Sequence, residues 1–232
     1  MIDFHTHILP CVDDGSQRIP ESVSMLRAEA RQGIEAVVLT PHFYAQDNSP
    51  AQFLQRRQKM YKHLLPFLWQ ELPMICLGAE VQYFEGICTA EDVRHLRIEG
   101  TEYLLVEMPF SRWSERVLED VMELNDLADT TVVLAHIERY LAMQSGDVWE
   151  RLRSCGILMQ SNVSFFGNWR TRHRAMSMLA QGKIHFLGSD CHNMKTRQPN
   201  WDQLPEKARR LAEQSAPYAA FRAAVLQGAH ML

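Results

Sequence analysis

Short runs of β-favouring apolar residues alternate with segments of helical period along this chain, and that alternation is what most limits its fold. The runs are Ile2–Phe4, Ala36–Leu39, Met74–Leu77, Tyr103–Val106, Thr131–Leu134, Ile157–Met159 and Ile184–Leu187, which predict about seven strands. Between them, Val23, Leu26 and Ala30 share one helical face, as do Val117, Val121, Leu124 and Ala128. Ser49, Pro50 and Gln52 read as an N-cap, a first-turn proline and the partner of a capping box. They open a helix with the stripe Phe53, Arg57, Tyr61, Leu64 and Leu68. Ser145 and Gly156 bracket another, with Val148, Leu152 and Cys155 expected inward. Strand–helix alternation without a linker or repeat implies an α/β fold with a parallel sheet, either closed as a barrel or open and doubly wound. No G-x-G-x-x-G or G-x-x-x-x-G-K follows a strand, which counts against an open nucleotide-binding sheet.

Size and charge narrow the partners. At 232 residues and 46% hydrophobic content the chain is expected to form one domain, 1–232, around one core. A formal net charge of −4, with basic stretches such as "RRQK" offset by acidic ones, provides no field for nucleic acid. No segment is apolar and long enough to suggest a signal peptide or membrane insertion. The five cysteines are scattered without a C-x-x-C, as expected of reduced thiols in a cytoplasmic protein.

Chemistry-bearing residues fall just after the predicted strands. His5, His7 and, in the next loop, Asp14 follow the first; His42 follows the second, Glu80 the third, Glu107 the fourth, His136 the fifth, and Asp190 and His192 the seventh. Only the sixth, in "ILMQSN", supplies none. In an α/β barrel the carboxyl ends of the strands form one face, so these nine side chains would converge on one cavity. Alternation along a strand puts His5 and His7 on the same face, as two ligands of one ion require. Each residue alone has an ordinary explanation: a lone histidine is often a core or surface group, and Asp13 and Asp14 before Gly15 suit a turn, Asp13 more so. Their shared phase at strand ends does not. Five imidazoles and four carboxylates without cysteine suit two or three divalent ions such as Mn(II), Fe(II) or Zn(II). Four carboxylates against three such ions leave a net charge of about +2, suited to an activated water and a phosphomonoester.

The ordered motifs "DFHTHILP", "DDG", "TPH", "GAE", "VEMP", "AHIERY" and "SDCHN" resemble the PHP (polymerase and histidinol phosphatase) superfamily. "HILPxxDDG" and "H-x-ERY" are more similar to its bacterial metal-dependent protein-tyrosine phosphatases, associated with capsule and exopolysaccharide kinases. The resemblance spans residues 1 to about 197 and implies a distorted (β/α)7 TIM-like barrel with a trinuclear site, usually manganese. It implies one ion held by His5, His7, Glu80 and Asp190, and a second that shares Glu80 and is held by Glu107 and His136. The third falls to Asp14, His42 and His192, while Arg139 and Arg197 match positions that grip phosphate. The expected reaction is direct hydrolysis of phosphotyrosine by metal-activated water, and the expected partner is an autophosphorylated tyrosine kinase. A small-molecule phosphomonoesterase of the histidinol-phosphatase type, or a non-catalytic metal-binding regulatory module, are the alternative readings. Ile137 stands where this branch usually has proline, and Cys11 where glycine is common.

One decoy shares the site's sequence. Cys191 to Arg197 matches the C-x5-R pattern of cysteine-dependent tyrosine phosphatases, but the stretch has no glycine, and Asp190 beside the thiol opposes its ionisation. In a phosphatase assay, Cys191→Ser should therefore keep most of the activity and Asp190→Ala should abolish it; the reverse pattern would make the thiol the nucleophile.

Overall fold

A computed structural model describes residues 1–228. The chain runs β1 (Ile2–Thr6), α1 (Ile19–Arg31), β2 (Ala36–Leu39), β3 (His42–Phe43), α2 (Pro50–Leu64), β4 (Met74–Leu77), β5 (Glu80–Gln82), β6 (Tyr103–Glu107), α3 (Glu115–Asn125) and β7 (Thr131–Leu134). It continues with α4 (Gly146–Ser154), β8 (Leu158–Asn162), α5 (Ser164–Gly167), α6 (Arg172–Ala180), β9 (Phe186–Gly188), α7 (Glu206–Glu213) and α8 (Ala216–Gly228). Every strand pairing is parallel. One run pairs in the order β1-β2-β4 and the other β3-β5-β6-β7-β8-β9. A bridge between Thr6 and Cys191, with His7 N donating to Cys191 O at 2.9 Å and Asp190 N to His5 O at 2.9 Å, joins the last strand to the first. The result is the distorted TIM-like barrel, closed around seven staves.

Nine strands build those seven staves because the second and third are each broken. Pro41, which has no N–H to donate, interrupts the stave of β2 and β3. Gly78 interrupts that of β4 and β5 where Val38, Thr40 and Ile98 press in; a Cβ there would lie 3.1 Å from Ile98. Arg57, buried on the α2 stripe, donates to Gly78 O at 2.8 Å and so satisfies a carbonyl that the break leaves free. His42 and Glu80 consequently open short strands of their own and pair with each other in register.

The aromatic rings of Phe4, Tyr103, Phe186 and Phe221 pack together where β6 and β9 begin, with Phe4 stacked on Phe186 at 4.2 Å. Each is buried, and each such side chain contributes about 1.5–3 kcal/mol on leaving water. Large rings fill the barrel at that end, and the polar side chains gather at the other.

Several local expectations need correction. The Ser49–Gln52 capping box is present in both halves, but α2 ends at Leu64, and Leu68 lies past a 3₁₀ turn. Ala128 lies beyond the end of α3 and is exposed. Cys155 points outward rather than inward, because it forms the C-cap of α4 and not a further inward turn. The sixth and seventh strands start later than their apolar runs, at Leu158 and Phe186. The sixth extends to Asn162, carrying polar residues into the barrel. His230, an ordinary histidine by its sequence setting, lies outside the described residues.

Candidate metal centre

All nine expected side chains gather at the carboxyl ends of the strands, around Glu80. The Glu80 carboxylate is 1% exposed and lies 2.8 Å from His136 Nε2, 3.0 Å from His42 Nδ1, 3.1 Å from His5 Nε2 and 3.3 Å from His7 Nε2. Asp190 Oδ1 is 3.4 Å from His7, 3.8 Å from His5 and 3.6 Å from His192 Nδ1. Asp14, on the rim, reaches His192 at 3.4 Å and His42 at 3.6 Å, while Glu107 lies 3.5 Å from His136. Three sets of donors are close enough to share an ion: His5, His7 and Asp190; His7, Asp14, His42 and His192; and His42, Glu80 and Glu107. His7 and His42 each belong to two sets, so the sets link into one continuous run; His136 is in none of them and completes the ring through Glu80, 2.8 Å away.

Local backbone geometry aims these groups. His136 (φ 32) and Asp190 (φ 53) occupy the left-handed region, a conformation costing on the order of 1 kcal/mol or more and persisting where the surroundings enforce it. Cys11 (φ 59) does the same, which explains why glycine suits that position. Gly15 and Gly188 clear space for the first stave. A Cβ on Gly15 would stand 2.2 Å from His7 O, and one on Gly188 2.6 Å from His5 Cβ. Ile137, in place of the usual proline, leaves the next turn intact: Arg139 N donates to His136 O at 3.0 Å. The guanidiniums of Arg139 and Arg197 converge on the two Asp190 oxygens, Arg197 at 2.7 Å, so both belong to this cluster rather than to a remote surface pair.

The donor set fits a cation. His5 Nε2 and His7 Nε2 face each other at 3.0 Å, with the Glu80 and Asp190 oxygens around them. Buried His42 Nδ1 and His192 Nε2 make no well-aligned hydrogen bond, although carboxylate oxygens of Glu80 and Asp14 lie 3.0 and 3.4 Å from them. Lone pairs crowded this closely need a shared positive charge. Without a metal, protons take that part. Burial opposes ionisation of Glu80, yet His5 and His42 hold its carboxyl well below the usual range; Asp190 is held down by His5 and His7 in the same way. Burial likewise opposes charge on His7 and His136, but Asp13 raises the first well above its ordinary value, and Glu107 with Glu80 raises the second to about 9. His192 goes the other way, pushed by burial and by His7 down to about 3.

Two groups of positions carry more than their sequence suggested. Asp13, expected to serve a turn, does accept from Gly15 N at 2.9 Å, but its other oxygen lies 2.6 Å from His7 Nδ1 and also accepts from His42 N. Its neighbour Asp14 and the following glycine masked it. The sixth stave, which supplies no ligand, sends Gln160 and Asn162 into the cluster; three consecutive polar residues inside a strand were the available signal. Cys191, by contrast, is fully buried against Glu29, and burial with the charges of Glu29 and Asp3 pushes its thiol well above the ordinary value, unlike an activated nucleophile.

A parallel barrel closed around seven staves, with a histidine–carboxylate ring at its carboxyl end, defines a metal-binding barrel of the PHP type. The profile of the family described as capsular polysaccharide synthesis, CpsB/CapC, matches residues 1–221, and the chain belongs to that family. It is 30% identical to the tyrosine-protein phosphatase YwqE of Bacillus subtilis over 209 residues, covering 85% of this chain and 79% of that protein. It is also 30% identical to the tyrosine-protein phosphatase CpsB of Streptococcus pneumoniae over 219 residues, covering 88% and 87%. Crystal structures of YwqE and CpsB from those organisms are described as unique metal-dependent tyrosine phosphatases. One such chain superposes with a TM-score of 0.75 at 25% identity, over 97% of this chain and 93% of that one.

Protonated imidazoles must lose their protons to bind metal. Mn(II) titrated into the metal-free protein should thus release protons, with a dissociation constant that falls as pH rises from roughly 6 to roughly 8. Calorimetry in buffers of different ionisation enthalpy reads both; pH-independent binding without proton release would place the ion elsewhere.

Proposed function

We propose that this chain is a metal-dependent protein-tyrosine phosphatase of capsular or exopolysaccharide synthesis, acting as one domain over residues 1–232 in the cytoplasm. The observation that carries this reading is the ring of inward-facing donors, with Nε2 of His5 and His7 at 3.0 Å, directly beside two guanidiniums. We assign His5, His7, Asp14, His42, Glu80, Glu107, His136, Asp190 and His192 as the ligands of two or three divalent ions, manganese foremost. His7, His42 and Glu80, each within reach of two donor sets or at the ring's centre, suit shared places between ions. When bound, the ions supply a nucleophile derived from water at neutral pH and positive charge against the phosphoryl oxygens.

The chain's own residues do the rest. Arg139 and Arg197 are 37% and 40% exposed, so their forks can turn from Asp190 to accept a phosphate at the barrel mouth. A phenolate leaves readily, since its pKa of about 10 lies far below that of an alkyl alcohol, and strong proton donation to the leaving oxygen is unnecessary. Phe110 is 73% exposed and packs against Tyr140, whose hydroxyl lies 3.4 Å from His136 Nδ1. Its free face suits the ring of a phosphotyrosine. An open rim of this kind favours a protein segment over a small phosphomonoester, and the natural substrate proposed is an autophosphorylated tyrosine kinase. Among the described residues no helix is long and apolar enough to cross a membrane.

The direct test is phosphate release from a tyrosine-phosphorylated peptide with Mn(II), repeated with a chelator and with the serine-phosphorylated peptide. Release from the tyrosine peptide alone, abolished by the chelator, is expected. Release that survives chelation would overturn the metal mechanism; release confined to small phosphomonoesters would overturn the protein substrate.

A further inference from the structure

The sixth stave is the one that contributes no histidine, aspartate or glutamate to the ring, yet Gln160, Ser161 and Asn162 are all buried within it. A buried polar side chain left without partners is costly, so three polar residues here need a reason. Their hydrogen bonds supply one. Gln160 Oε1 accepts from His136 N at 2.6 Å and lies 3.3 Å from His5 Nδ1. Gln160 Nε2 donates to Asn162 Oδ1 at 3.0 Å, and Asn162 Nδ2 donates to Asp190 Oδ2 at 3.0 Å. Strand alternation puts Gln160 and Asn162 on the same face, while Ser161 turns the other way and donates to Glu138 at 2.9 Å.

The direction of this chain is fixed from both ends. His136 N can only donate, so the Gln160 atom that meets it is the oxygen. Asp190 Oδ2 also accepts from the Arg139 guanidinium, so the Asn162 atom that meets it is the nitrogen. Both constraints give the same orientation of both amides. With Gln160 Oε1 as an acceptor, His5 Nδ1 must donate, and the free lone pair of His5 is left on Nε2, toward Glu80 and His7.

We propose that Gln160 and Asn162 are positioning residues of the metal centre. Their directed pair of amides ties His5, His136 and Asp190, from three different staves, into one rigid donor set with the correct His5 tautomer. This rests on the metal reading above. Supporting partners of this kind govern metal affinity as well as activity, typically by about 10–100-fold. Gln160→Glu keeps the acceptor for His5 and His136 but removes the donor to Asn162. Asn162→Asp sets a second carboxylate against Asp190.

The test compares Mn(II) affinity by calorimetry, and the visible absorption of the Co(II)-loaded protein, between the natural chain and these two near-isosteric variants. Thermal melting of the metal-free proteins checks the fold. The expected result is about 10–100-fold weaker Mn(II) binding and an altered Co(II) spectrum in both variants, with a double variant losing less than the product of the single losses. Unchanged affinity and spectra, with the natural chain binding Mn(II), would overturn this inference alone; a natural chain that binds no Mn(II) would overturn the metal reading with it. Should neither variant fold, proton–nitrogen spectra of the Zn(II)-loaded natural chain decide: a proton on His5 Nδ1 supports the inference and a proton on Nε2 overturns it.

Discussion

A buried carboxylate surrounded by four imidazoles is the constraint on which the rest of this barrel depends. Glu80 is almost wholly withdrawn from water, and His5, His7, His42 and His136 all approach it within 3.3 Å. Burying one uncompensated carboxylate costs several kcal/mol, and packing neutral imidazole lone pairs against it would add to that cost. The arrangement is sustained by positive charge, carried by protons on some imidazoles or by cations among them. A cation serves better, because it turns every lone pair in the ring from a liability into a bond.

The fold places those donors by irregularity as much as by regularity. Breaks at Pro41 and Gly78 turn His42 and Glu80 into the first residues of new strand segments that pair with each other, and Arg57 repairs the carbonyl that one break exposes. Left-handed backbone at His136 and Asp190 re-aims two more donors. Such features cost stability locally and persist because a well-filled barrel end, closed by Phe4, Tyr103, Phe186 and Phe221, over-determines the chain around them.

Strand–helix alternation made a parallel α/β fold legible in the sequence, the resemblance selected the barrel, and the placing of ionisable residues after apolar runs pointed to all nine ring members. Period-based reasoning works where a residue's position follows from its phase, and the gathering of side chains at strand ends is such a case. It failed where a side chain's role depends on which partner the fold brings beside it. Asp13 looks like a turn residue until His7 Nδ1 is found 2.6 Å away. Gln160 and Asn162 look like a weak strand end until His5, His136 and Asp190 are brought beside them. Broken staves were equally hidden, since apolar runs do not reveal where a parallel sheet must bend to close.

The claim on which everything else rests is that the ring is a metal centre built from these nine side chains. Anomalous X-ray scattering from crystals of the Mn(II)-loaded protein tests it most directly. Two or three anomalous peaks enclosed by the ring, with His5, His7, Glu80 and Asp190 among their ligands, are predicted. A ring without peaks, or manganese bound only by other residues, would contradict it.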